Sequence, residues 1–137
     1  MEYIISRGFS LPDSERELEN SDWFNMWANQ LFPYKELVEG DILYWYDSTQ
    51  EAIVWKSRVV KIIRFPYNSK QEIIDKFKDV SEIEYFQTRA EKGFFINYRV
   101  KVIDKLHIQK PQNFKFPQLG WFRVEKDLAS TWLNVDK

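Results

Sequence analysis

The chain contains no cysteine, which excludes disulfides, thiolate zinc sites and cysteine nucleophiles and agrees with a reducing interior. It has one histidine, His107, which argues against a histidine-rich metal site or a histidine-based catalytic triad. No apolar run approaches the roughly 18 residues of a membrane span. The stretch MEYIISRGF lacks the basic-then-apolar pattern of a secretory signal, so a cytoplasmic location with no membrane partner is expected. P-loop, dinucleotide fingerprint, nucleophile elbow and metal-ligand spacing are all missing from the sequence, and no cofactor or metal is expected. There is no internal repeat, linker or low-complexity tract, and the 137 residues read as a single domain, 1–137.

What the chain has in quantity is aromatic side chains, 18% of the residues. Many rings must therefore be packed in a core or held for use. The net charge of −1 conceals an asymmetry. Residues 1–51 carry three basic and eleven acidic side chains, whereas residues 52–67 carry four basic and none acidic. Residues 94–124 carry six basic side chains against the single Asp104. A cationic stripe of this kind can follow a phosphate backbone. It can equally be the polar outer surface of a half-exposed sheet, where lysine is common.

The organising stretch is Val38 to Phe65. Gly40-Asp41 opens a strand over Asp41 to Tyr46, residues 47–51 form a polar turn, and a second strand runs from Ala52 to about Arg64. Alternation puts Ile42, Tyr44 and Tyr46 on one face of the first strand, with Leu43 and Trp45 on the other. In the second strand the polarity switches beyond Val59, and this slip predicts a β-bulge near Val59 to Lys61.

Around this hairpin, Met1 to Phe9 reads as a first strand, and Asp13 or Ser14 caps a short helix through Leu18. Ser21 caps a second helix with Trp23, Trp27 and Leu31 at i, i+4 and i+8, ending before Pro33. Its tryptophans either pack the helix onto the sheet or edge a pocket. Ser69 with Glu72 forms a capping box for a helix to Lys78. A further helix runs from Ser81 through Ala90, with Gly93 as its left-handed C-terminal residue. Phe94 to Ile108 is the longest strand, with Phe94, Ile96 and Tyr98 on one face and Asn97, Arg99 and Lys101 on the other. Trp121 to Val124 makes a last strand, and a short helix from Asp127 or Leu128 to Leu133 closes the chain. This order predicts an α+β fold, a small mixed, bent β-barrel with peripheral helices.

Taken in order, VEGDILYWYDS (38–48), IVWKSRVVKI (53–62), SEIEYFQ followed by GFFINYRVKVI (81–87 and 93–103) and FPQLGWFRV (116–124), with the pair Trp132-Leu133, resemble the PUA-like superfamily. Within it they resemble the EVE and ASCH group, including EVE-like domains associated with restriction nucleases. The resemblance implies a PUA-like barrel and a nucleic-acid-binding module, with DNA or RNA as partner, that in several members takes a flipped or modified base into an aromatic cage. A base lifted from its stack needs flat rings, worth about 1–3 kcal/mol each. It also needs polar groups for its edge and cations for the flanking phosphates. Candidate rings are Phe9, Trp23, Trp45, Tyr46, Trp55 and Trp121, with Tyr44 also available. Candidate edge readers are Ser6, Asp47, Ser48 and Asn97. Arg7, Lys56, Arg58, Arg99 and Lys101 are the candidate phosphate contacts. Trp45 and Trp121 are the favoured rings, and Gly120 before Trp121 permits close approach of backbone or ligand.

No catalytic residue is assigned. The carboxylate pairs Glu15/Glu19, Glu36/Glu39 and Glu82/Glu84 fall in solvated helices or turns, without the burial that would shift a pKa. Two other readings stay open: a small-ligand or protein-interaction domain on the same barrel, and a metal-independent ribonuclease using Lys, Tyr and His.

Overall fold

A computed structural model describes residues 1–8, 10–112, 114–116, 120–125 and 129–133. The strands are β1 (Glu2–Ser6), β2 (Trp23–Trp27), β3 (Ile42–Asp47), β4 (Ala52–Tyr67), β5 (Gly93–Gln109) and β6 (Trp121–Arg123). The α-helices are α1 (Glu15–Asn20) and α2 (Lys70–Lys76). The strands are hydrogen-bonded in the order β2-β5-β4-β3-β1-β6. The sheet is mixed because β1 runs parallel to β3 and antiparallel to β6. This is the α+β arrangement, a mixed sheet with flanking helices, that the order of sequence elements calls for.

Two compact units share the long strands. The first comprises residues 1–21, 38–60 and 99–137, and the second residues 22–37 and 61–98. In the first, Tyr3, Ile4 and Ile5 are all buried, because β1 has a strand on either edge and side chains over both faces. Ile4, Tyr44, Tyr46, Ile53 and Trp132 form one core cluster, with Phe114, Phe116 and Phe122 packed against it. On the other face of β3, Trp45 donates from Nε1 to Ser57 Oγ at 2.8 Å. Ser57 in turn donates to the Leu43 carbonyl at 3.2 Å, so the buried polar atoms of this pair satisfy each other. Gly120 has φ +79°, and a Cβ there would lie 2.7 Å from the Ser6 carbonyl oxygen. Close approach of backbone is why glycine stands before Trp121.

In the second unit β2 pairs antiparallel with β5, Trp23 beside Tyr98 and Trp27 beside Phe94. Phe24, Met26, Tyr67, Ile73, Phe86 and Phe95 are the heart of its core. Helix α2 starts as the sequence requires: the Glu72 carboxylate accepts from the Ser69 N–H at 3.0 Å and the Asn68 N–H at 2.8 Å.

Three local expectations are corrected. Residues 23–27 form strand β2 and not a helix. The i, i+4 spacing of Trp23 and Trp27 also fits i, i+2, i+4 with Asn25, and aromatic-rich segments favour a pleated surface with a partner. The helix expected from Ser81 is a pair of 3-10 segments, Lys78–Glu82 and Glu84–Thr88, with Val80 and Phe86 anchored in the core. Gly93 is no helix cap: it opens β5, where a Cβ would sit 2.3 Å from the Trp27 carbonyl oxygen. A register shift lies at Trp45/Tyr46, which face Trp55 and Ile53, so Val54 is the extra residue. At Val59 to Lys61, where the polarity slips, β4 passes from the first unit to the second.

Candidate nucleic-acid interface

A cavity of about 420 Å³ lies in the second unit, with Phe24, Phe77, Phe95, Asn97, Lys76 and Lys78 among its lining residues. Register explains the assembly. Phe24 on β2 stands opposite Asn97 on β5, and Met26 opposite Phe95, so Phe24, Phe95 and Asn97 share one face of the sheet. Phe95 stacks with Phe24 at 5.6 Å between ring centres and an interplanar angle of 29°. Phe77, just beyond α2, adds a third ring 5.3 Å from Phe95. Lys76 and Lys78 are exposed, and the Lys76 ammonium lies 5.3 Å from the centre of the Phe65 ring. Asp22 and Asp79 are also at the lining. Asn97 is buried, not on an outward face: alternation failed to place it because both sides of the first half of β5 are covered.

A smaller cavity of about 200 Å³ lies in the first unit, where Asp47, Trp55, Lys105 and His107 meet Pro12 and Gln50. Trp55 donates from Nε1 to the Pro12 carbonyl at 3.0 Å, and the Lys105 ammonium sits 5.5 Å from its ring centre. Asp47 accepts from the Thr49 hydroxyl at 2.6 Å and its N–H at 2.9 Å, from Gln50 Nε2 at 3.3 Å and from the Leu11 N–H at 3.4 Å. Burial alone would raise its pKa, but these four donors outweigh it and hold the carboxyl below its ordinary value. Its lone pairs are occupied by the turn, which makes Asp47 a structural anion.

The structure brings together Asp47 and Trp55 from the sequence-predicted set. Trp45 and Trp121 are sealed, 0% and 2% exposed, and Tyr46 packs against Phe116 and Trp132. Trp23 is buried on β2. Ser6 is half-buried and its N–H donates to the Gly120 carbonyl at 2.8 Å, while Ser48 is exposed. Phe9 lies outside the described residues. Among the phosphate candidates, Arg58 and Lys101 are exposed and Arg7 is half-buried. Arg99 donates from Nη2 to the Asn20 carbonyl at 2.9 Å. Lys56 lies 5.6 Å from the Tyr44 ring centre. Because Lys56 and Trp55 alternate on β4, Lys56 and the Lys105 seated on Trp55 occupy opposite faces of the strand. Tyr44 does not titrate near neutrality: burial, then the charge of Glu2 and its hydrogen bond, push its pKa up to about 12. Sequence reasoning missed Phe24, Lys76, Phe77, Lys78 and Phe95 as site residues. The signal available was Asn97 itself, one amide within the apolar run Phe94 to Tyr98.

No protein-family profile matches the chain, and no curated protein matches it in sequence. Solved structures do match in three dimensions. The ASCH protein of Zymomonas mobilis superposes with a TM-score of 0.59 at 11% identity, covering 98% of this chain and 94% of that one. A point variant of the same protein gives 0.61 at 10% identity, over 98% and 97%. The chain has the ASCH fold. At this level of identity the likeness establishes the fold alone and leaves the residues of the site to be argued from the chain itself. No helix among the described residues is long and apolar enough to cross a membrane.

Proposed function

We propose that the chain is a nucleic-acid-binding module of RNA-binding type, which holds a base in an aromatic cavity and meets flanking phosphates with exposed cations. The observation that carries this is the second unit's cavity, where three phenyl rings and two exposed lysines converge. The ASCH fold supports the coarser part of the reading. The finer part, reception of a flipped or modified base, draws on the phenylalanines, which line the cavity, and not on the favoured indoles Trp45 and Trp121, which line neither cavity. Lys76 and Lys78, exposed at the cavity, are the proposed contacts for its flanking phosphates, and Arg58 and Lys101, exposed on the long strands of the first unit, are proposed as separate backbone contacts. Arg99 is held by Asn20 and serves the fold first.

Retention of labelled single-stranded RNA and DNA, measured from low to high salt, tests the reading. Each phosphate neutralised on a single strand contributes a slope of roughly −0.7 to log K against log salt. A steep salt dependence is expected, with RNA retained more strongly than DNA. Absence of binding at low salt, or affinity indifferent to salt, would overturn the proposal. Tight capture of a small ligand with no polymer binding would favour the alternative of a small-ligand domain.

A further inference from the structure

Within the larger cavity one buried polar atom has no partner. Asn97 is 1% exposed. Its Nδ2 donates to the Trp23 carbonyl at 3.2 Å, which fixes the orientation of the amide, since a carbonyl can only accept. Oδ1 is buried without a hydrogen-bond partner. Leaving a buried acceptor unpaired is destabilising, and a leucine in the same run, between Ile96 and Tyr98, would not incur that cost. Departures of this kind from an otherwise consistent core concentrate where a ligand completes the set. With Nδ2 committed, the open group can accept a hydrogen and cannot give one. The volume, about 420 Å³, falls in the range of small-molecule sites, roughly 300–1,000 Å³. Phe24, Phe77 and Phe95 line the same cavity as Asn97. Asp22 and Asp79 on the lining disfavour an anionic ring, while the exposed Lys76 and Lys78 can meet a charge outside the cavity.

We infer that this cavity takes a planar, uncharged nitrogen heterocycle through an N–H edge: a nucleobase whose ring nitrogen or amino group donates to Asn97 Oδ1 while its face lies against the phenylalanines. Selection is by the donor. A base whose ring N–H is methylated, or whose amino group is dimethylated, presents no hydrogen there and leaves Oδ1 unsatisfied. The inference rests on the nucleic-acid reading above and specifies its site and edge chemistry.

The test uses the full chain and two measurements: calorimetric titration with the four free ribonucleosides, and retention of single-stranded RNA across salt. The best-bound nucleoside is then compared with its analogue methylated at the donor nitrogen until no N–H remains, once for a ring nitrogen and twice for an amino group. The expected result is at least a tenfold loss of affinity for the methylated analogue, and a similar loss for Asn97→Leu with the intact nucleoside. Asn97→Leu should melt close to the wild-type temperature, because relief of the unpaired acceptor offsets the lost bond to Trp23. A purely structural asparagine would instead lower the melting temperature and leave nucleoside affinity unchanged, which would overturn the inference. Should Asn97→Leu not fold, the methylated analogue still decides on wild-type protein. RNA retention with no nucleoside binding, or with binding indifferent to methylation and to Asn97, would refute this site while leaving the broader reading intact. Asn97-dependent nucleoside binding with no retention of RNA would uphold the site and refute the broader reading.

Discussion

Asp47 shows how a residue with the right chemistry for recognition can be committed to structure. Its carboxylate accepts from four groups in the turn after β3 and in the segment leading to α1. Removing it with Asp47→Ala strands those donors, and hydrogen bonds to a charged group are worth about 1.5–3 kcal/mol. We expect a loss of roughly 3 kcal/mol in chemical denaturation, with no change in nucleoside binding to the second unit. Because the folded carboxyl lies below its ordinary value of 3.8, its contribution is fully present above that pH and is lost as pH falls through the lower, folded value. Asp47→Asn should flatten this acid limb of the stability profile. Tyr44 acts at the other end. Its folded pKa of about 12 exceeds the ordinary 10.0, so stability should fall as pH rises from 10 towards 12, and Tyr44→Phe should remove that dependence. Denaturation midpoints measured at acid and alkaline pH would check both.

At the scale of elements, capping and turn chemistry were legible and pairing was not. Ser14 before α1 and Glu72 at the start of α2 act on nearby backbone N–H groups, and a signal confined to four residues can be read from sequence. Glu72→Ala should therefore cost about 1 kcal/mol, seen as a small drop in melting temperature. β2 was misread because its identity depends on β5, some seventy positions later in the chain, and local spacing cannot report a distant partner. Gly93 was misread for the same reason. The contact that demands glycine is with Trp27 across the ladder, 2.3 Å from any added Cβ. A backbone carbonyl cannot move aside as a side chain can, so Gly93→Ala should cost more than about 2 kcal/mol by overpacking. Hydrogen exchange should show the damage first in β2 and the adjoining part of β5.

For the molecule as a whole, the charge asymmetry was legible but its geometry was not. Composition located cations on two long strands; only the structure separates the exposed Arg58 and Lys101 from Arg99, bound to Asn20, and from Lys56 and Lys105, each seated on a ring. Arg58→Glu and Lys101→Glu should each weaken RNA retention across all sequences and lower the salt slope by about one phosphate contact. Glutamate at position 58 or 101 should leave the melting temperature nearly unchanged, whereas Arg99→Ala should lower it. The site was half legible in the same sense. Asp47 and Trp55, named from sequence, line one cavity, while the phenylalanines around Asn97 were not named, since any ring in an apolar strand reads as core until a void is found beside it.

The parallel pairing of β1 with β3 has a consequence for how the polypeptide is assembled. Tyr3 lies beside Leu43 on one side and Arg123 on the other, so the segment emerges from the ribosome before either neighbour exists. Its second edge must wait, β-prone and unpaired, until Trp121–Arg123 has been made, and closure over such separations is slow. A chain ending before Trp121 would leave one margin of Glu2–Ser6 open to a second copy, and truncations from that side should yield aggregates in place of a smaller folded protein.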